Sequence, residues 1–175
     1  IIFCILFWNY LKNISQNNFE SNVKISFYLP VIFLIILILQ ISLGAFVSGL
    51  DAGQIYQSWP LMNQNYFPDD SMFNDLFSLK VFETPSLAQF LHRNVAYIML
   101  LFFLVILFIV FNNVDLAYLR KSAILVFLFL LLQLFLGILT IIFGAQIFFA
   151  SMHQLGSIVL LTATLILVFK NSRIN

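Results

Sequence analysis

Apolar residues in this chain fall into blocks, and polar residues are gathered between them. After an opening block, "IIFCILFWNY", four runs follow: Phe27 to Leu50, Leu87 to Phe111, Ile124 to Phe143 and Phe148 to Phe169. Each is close to the roughly 20 residues needed to cross a hydrocarbon core of about 30 Å. The connections are "KNISQNNFESNVK", a long loop from Asp51 to Glu83, "NNVDLAYLRK", and a very tight turn around Ala145 to Ile147. The pattern predicts an all-α membrane protein, a four-helix transmembrane bundle preceded by the tail of another transmembrane helix. Residues 1–25 form the end of that truncated helix and an inner loop; residues 26–175 form the four-helix domain, with the long outer loop at 51–83. The opening block has no initiator Met, no basic leader and no small-residue cleavage site, so it reads as the end of a helix that begins upstream, not as a signal peptide.

Composition agrees. The chain is 62% hydrophobic and 9% charged, whereas an ordinary soluble domain is about 45–50% apolar and 25% charged. Its net charge of +1 comes with no basic run, so nothing is present to neutralise phosphates and nucleic acid is excluded as a partner. The single cysteine, Cys4, rules out an intrachain disulfide and a cysteine-based metal centre. Lys12, Lys24, Arg120, Lys121, Lys170 and Arg173 fall on one side of the predicted spans, while the long loop offers only Lys80 and holds Asp51, Asp69, Asp70, Asp75 and Glu83. By the positive-inside rule the first side is cytoplasmic or matrix and the long loop faces out.

An internal repeat organises the four runs. "LQISLGAFVSG" from Leu39 and "LQLFLGILTII" from Leu132 share Leu-Gln-x-x-Leu-Gly, and each is followed, across an outer loop, by a helix with a histidine near its start: His92 after Pro85, His153 after Phe148. The chain reads as two copies of one helical hairpin, both running out and back, related by a pseudo-two-fold axis along the membrane normal. Gly44 and Gly137, at equivalent places, let helices approach closely. Chance similarity between leucine-rich helices is the competing reading, because the matching string is short.

Thr84 and Pro85 form a helix start signal, Thr as N-cap and Pro at the first helical position. At 1.5 Å per residue His92 then lies about 10 Å down its helix and His153 about 7 Å below Phe148. Ionisable side chains inside a membrane are costly and face the bundle interior. Two histidines at one depth on different helices supply one imidazole to each side of a planar ligand, the geometry of bis-histidine haem ligation. Their helical neighbours are Ala88, Gln89, Val95 and Ala96 around His92, and Phe149, Ala150, Gly156 and Ser157 around His153. The small ones would admit a macrocycle edge; they equally suit helix packing, with each histidine satisfied by an interhelical hydrogen bond. Zinc or copper fits less well, because no third carboxylate or thiolate lies at that depth. Arg93 suits a haem propionate, which a guanidinium binds bidentately, or it snorkels to the interface or pairs with Asp51 or Glu83.

Together, "LQISLGAFVSGLDAGQIYQSWPLMN", "FPDD", "FETPSLAQFLHRNVAYIML", "LLQLFLGILT" and "MHQLGSIVLLTATLILV" resemble the C-terminal half of the haem A synthases, eight-helix enzymes of cytochrome oxidase assembly. The resemblance touches every element from Leu39 to about Val168. It implies two pseudo-symmetric four-helix halves, with a haem b cofactor (iron) in the C-terminal half and the substrate haem O in the N-terminal half. His92 and His153 match the two C-terminal haem ligands, with Arg93 beside the propionates. The implied reaction oxidises a haem O ring methyl to a formyl, water supplying the oxygen and haem b relaying electrons. The N-terminal half, with its own histidine pair and outer-loop catalytic glutamate, lies outside these 175 residues, so no catalytic residue is assigned here. Beside that half and the lipid bilayer, a haem O synthase, an electron-transfer partner and further copies of the chain are the implied candidates for partners. The outer loop resembles the variety without a cysteine pair, which implies a mitochondrial inner membrane or a bacterial plasma membrane.

Asp51, Tyr56, Trp59 and Pro60 match the family's loop motif. As physics, "DAG" turns the chain at a helix end, and Tyr56 and Trp59 suit an interfacial aromatic belt; a lid over the haem edge is the functional alternative. Two other functions compete: a bis-histidine b-type cytochrome that only transfers electrons, and a haem-free transporter or assembly scaffold whose histidines are protonatable or merely hydrogen-bonded.

Overall fold

A computed structural model describes residues 2–14, 23–26 and 28–172. These form helices α1 (Ile2–Ile14), α2 (Tyr28–Gly49), α3 (Pro85–Asn112), α4 (Ala117–Ile142) and α5 (Ile147–Ser172), with short 3-10 segments between some of them. Helices α2 to α5 are each long and apolar enough to cross a membrane, so the chain is an all-α integral membrane protein as the apolar runs predict. The stretch predicted as an inner loop lies, over residues 15–22, outside the described residues.

Local chemistry sets the helix ends. Pro85 is the first residue of α3, where its missing N–H has no partner to lose, and Ala88 N–H donates to the Thr84 carbonyl at 3.0 Å. Pro30 falls in the first turn of α2, tolerated for the same reason. Helix α4 ends in a Schellman motif: Ala145 N–H bonds the Thr140 carbonyl at 2.7 Å and Gly144 N–H the Ile141 carbonyl at 3.0 Å. That closure puts Gly144 at φ +62°, which glycine adopts without a Cβ penalty, and this compact cap makes the α4–α5 connection as short as predicted. At the end of α2, Asp51 turns the chain with φ +50° and leads into the 3-10 segment Ala52–Gln54.

One boundary differs from the sequence reading. "NNVDLAYLRK" is predicted as a connection, yet only Asn113 lies outside a helix. The Asn113 side chain accepts from Asp115 N–H at 2.9 Å and starts a 3-10 turn, Val114–Leu116, that runs straight into α4. Arg120 and Lys121 are therefore helical. An apolar run marks where lipid is, and helices continue past it into the polar interface.

Two compact units divide the described chain. One comprises Ile1–Leu37, Met99–Leu131 and Ile158–Asn175, the other Ile38–Ile98 and Leu132–Ser157. The first is held by aromatic packing, with fully buried Phe33 against Phe103 at 4.7 Å between ring centres, and by polar ties at helix ends. Buried Asn171 accepts from Ile25 N–H at 3.1 Å and donates to the Ile25 carbonyl at 3.3 Å. Lys170 donates to Ser122 at 2.9 Å. Lys12, Lys24, Arg120, Lys121 and Lys170 all belong to this unit; Arg173 lies outside the described residues. The second unit contains the whole long loop with its five carboxylates and both histidines.

Candidate functional site

Within the second unit His92 of α3 and His153 of α5 come together, their ring centres 6.4 Å apart and their planes at 85°. Both side chains are half-buried. The equal depth inferred from helix register is thus a real encounter of the two rings.

The repeated Leu-Gln-x-x-Leu-Gly segments frame these rings in matching ways. In the first hairpin the Gln40 amide nitrogen donates to the His92 carbonyl at 2.9 Å and lies 3.4 Å from His92 Nε2. In the second, with its amide oriented to satisfy both ends, Gln133 donates to the His153 carbonyl at 2.9 Å, lies 3.2 Å from His153 Nδ1, and accepts from Ser157 N–H at 3.3 Å. One turn beyond each glutamine stands a glycine under the ring. A Cβ on Gly44 would come within 3.3 Å of His92 Cε1, and one on Gly137 within 3.2 Å of His153 Cε1. These glycines make room for imidazoles, where helix packing alone is the expectation from sequence. Sequence reasoning used the two glutamines only to find the repeat and missed their role. The signal was available: a buried amide in a lipid-length helix needs a partner, and Gln and Gly spaced by four share one helix face.

The faces around the histidines are also reassigned. Space beside Gly156 is filled by Gln133, whose terminal amide would lie 1.9 Å from a Cβ there, so this glycine accommodates the glutamine and not a ligand edge. Phe149 stacks on Phe143 at 4.8 Å. Gln89 turns from the His92 side to the long loop, donating to the Tyr56 carbonyl at 3.2 Å.

Arg93 makes the same choice as Gln89. Successive helical residues point about 100° apart, and the Arg93 guanidinium faces the loop, donating to the carbonyls of Tyr56 at 3.0 Å and Leu61 at 3.4 Å. Its Nε is buried with no partner. The expected alternative pairing with Asp51 or Glu83 is not formed; among the described residues the ion pair is Lys80–Asp75, at 2.9 Å and exposed. The same stripe of α3 carries the rest of the loop: Tyr66 donates to Asn94 at 2.5 Å, Trp59 donates to Tyr97 at 2.8 Å, and Phe67 packs edge-on against Phe90. Tyr56 is the hub, and it is buried, not a member of an interfacial belt. Its hydroxyl donates to Asp69. Burial first, and the hydrogen bond to the Asp69 carboxylate next, push the Tyr56 phenol up to about 12.

The donor set fits a metal-centred group held by two imidazoles. Two rings bound through one nitrogen each, at about 2 Å per bond, bring their centres to roughly 6 Å, the separation seen here. His92 Nδ1 is buried and has no hydrogen-bond partner, and bare glycine faces leave both rings in place. Among the described residues no three His, Cys, Asp or Glu side chains cluster, so no site of the zinc type, with three or four side-chain ligands, is formed by them.

Comparison with known proteins identifies the family. The sequence model of the COX15-CtaA family, described as cytochrome oxidase assembly protein, matches residues 1–165. A haem A synthase of Pelagibacter ubique is 43% identical over 171 residues, covering 98% of this chain and 49% of that protein. Haem A synthases of Rickettsia africae and Rickettsia prowazekii are 37% and 34% identical, covering 93% and 98% of this chain and 48% and 52% of theirs. The chain thus spans about half the length of the curated relatives it matches. No solved structure matches it. With a family match along nearly its whole length, the chain belongs to the COX15-CtaA family of cytochrome oxidase assembly proteins, the haem A synthase family.

Proposed function

We propose that this chain is the haem b-holding, C-terminal half of a haem A synthase, which oxidises the ring methyl of haem O to the formyl of haem A in a bacterial-type plasma membrane. One observation carries the reading: two histidines from the two hairpins meet at 6.4 Å between ring centres, each held at its backbone carbonyl by a glutamine of the preceding helix. His92 and His153 would be the iron ligands, while the Arg93 guanidinium is engaged by the loop carbonyls of Tyr56 and Leu61. When bound, the haem supplies one-electron transfer. The chain's own residues fix where that can happen. Gln40 and Gln133 lock the register of each hairpin at the histidine, Gly44 and Gly137 seat the rings, and the loop tied down by Arg93 closes over the opposite stripe of α3. The relatives' shared name, together with the family match, supports haem O as the substrate.

The test is haem analysis of membranes carrying the full-length protein. His92→Ala and His153→Ala should each accumulate haem O and lose haem A, with the protein still inserted. Undiminished haem A in either variant would overturn the assignment.

A further inference from the structure

The first unit carries a feature that haem chemistry does not use. Between α3 and α4, toward the end rich in Lys and Arg, an apolar groove of about 360 Å³ opens along one side, walled by Leu107, Phe108, Phe111, Ile124 and Phe127. Arg120, one helical turn before Ile124, is not itself a wall of the groove but contacts one of them. The Arg120 guanidinium lies 5.5 Å over the Phe111 ring and donates once to the Phe111 carbonyl at 3.2 Å. Its Nε is buried with no partner. Asp115, the acidic residue nearest in sequence, makes no ion pair with it; the ion pair among the described residues is Lys80–Asp75. Exposed Lys121 follows directly.

We propose that this groove binds one anionic phospholipid, its acyl chain along the five apolar walls and its phosphate on Arg120. An arginine that only reached for water would extend from the helix. This one is folded back on a ring that lines the groove, with one donor on the Phe111 carbonyl, which holds the guanidinium beside the groove and leaves its charge and remaining terminal N–H groups for a phosphate oxygen. The site lies at the end that the positive-inside rule places in the cytoplasm, where anionic lipid and basic residues between transmembrane helices attract one another. A zwitterionic lipid matches the walls equally well but brings its own ammonium toward Arg120 and Lys121, so charge selects the anionic headgroup.

Native mass spectrometry of the full-length protein, released from membranes containing phosphatidylglycerol and phosphatidylcholine with matched chains, tests this. The wild type should retain one phosphatidylglycerol in preference to phosphatidylcholine. Arg120→Gln should cut that retention about fivefold, as loss of one basic contact to an anionic headgroup implies. Ile124→Trp, which fills the groove and leaves the arginine in place, should cut retention as well and decides the matter if Arg120→Gln does not fold. Three results would overturn the proposal: no lipid retained by the wild type, as when another polypeptide segment covers the groove; equal retention of both headgroups; or Ile124→Trp retaining lipid like the wild type.

Discussion

At the scale of single residues, what distinguishes this chain from a generic apolar bundle is how each polar side chain inside it is satisfied. Gln133 reaches His153 only because residue 156 has no side chain. Gly156→Ala would force the flexible Gln133 amide aside. The gain in helix propensity, about 1 kcal/mol, is outweighed by the loss of the Gln133 hydrogen bonds to His153 and Ser157, about 0.5–1.5 kcal/mol each. Gly156→Ala should therefore lower the melting temperature and also deprive the histidine of its orienting partner. Loss of such a partner costs about 10–100-fold in metal affinity, so haem titration of Gly156→Ala below its melting temperature should show weaker binding; wild-type affinity would refute the role given to Gln133. Tyr56 offers a pH test. Its phenol is held near 12 in the folded protein, by burial and by Asp69, against about 10 in an unfolded chain. The stabilisation is complete below pH 10 and is lost as pH rises from 10 through 12, because the unfolded chain ionises first. Alkaline unfolding should show this step in the wild type and lack it in Tyr56→Phe.

At the scale of elements, α3 has two working stripes. One presents His92; the other, Gln89, Phe90, Arg93, Asn94 and Tyr97, holds the long loop. Adjacent positions His92 and Arg93 therefore serve different partners. A connection of more than 30 residues needs ties of its own to hold one conformation, and a buried guanidinium on two carbonyls is one of them. Arg93→Leu should destabilise the protein by about 2 kcal/mol, the scale of a charge-assisted hydrogen bond. Hydrogen exchange should accelerate across residues 56–61 and leave the inner ends of α4 and α5 unaffected; unchanged protection of the loop would mean that Arg93 does not tie it down. Sequence pattern located α2 to α5, the Thr84–Pro85 start and the tight turn around Ala145 to Ile147, because those depend on local chemistry. It could not place the loop on α3 or extend α4 to Ala117. The first depends on contacts between residues about 30 apart in sequence, and the second on a polar helical turn that hydropathy hides.

At the scale of the whole molecule, the site draws matching parts from two hairpins. Two hairpins each contribute a Gln, a Gly and a His, and the equivalent parts sit in equivalent contacts, although one hairpin closes through a long loop and the other through a four-residue turn. The histidine pair was legible because depth follows from helix register. The glutamines were not, because their partners are carbonyls of histidines in the next helix, which no spacing rule reports. The central claim is that these two histidines bind one haem b between them. A reduced-minus-oxidised optical spectrum of the purified full-length protein, compared with His153→Ala, tests it most directly. The account expects a low-spin b-type haem in the wild type that is lost in the variant. A low-spin b-type spectrum that survives His153→Ala unchanged, or a folded wild type with no haem band, would contradict it.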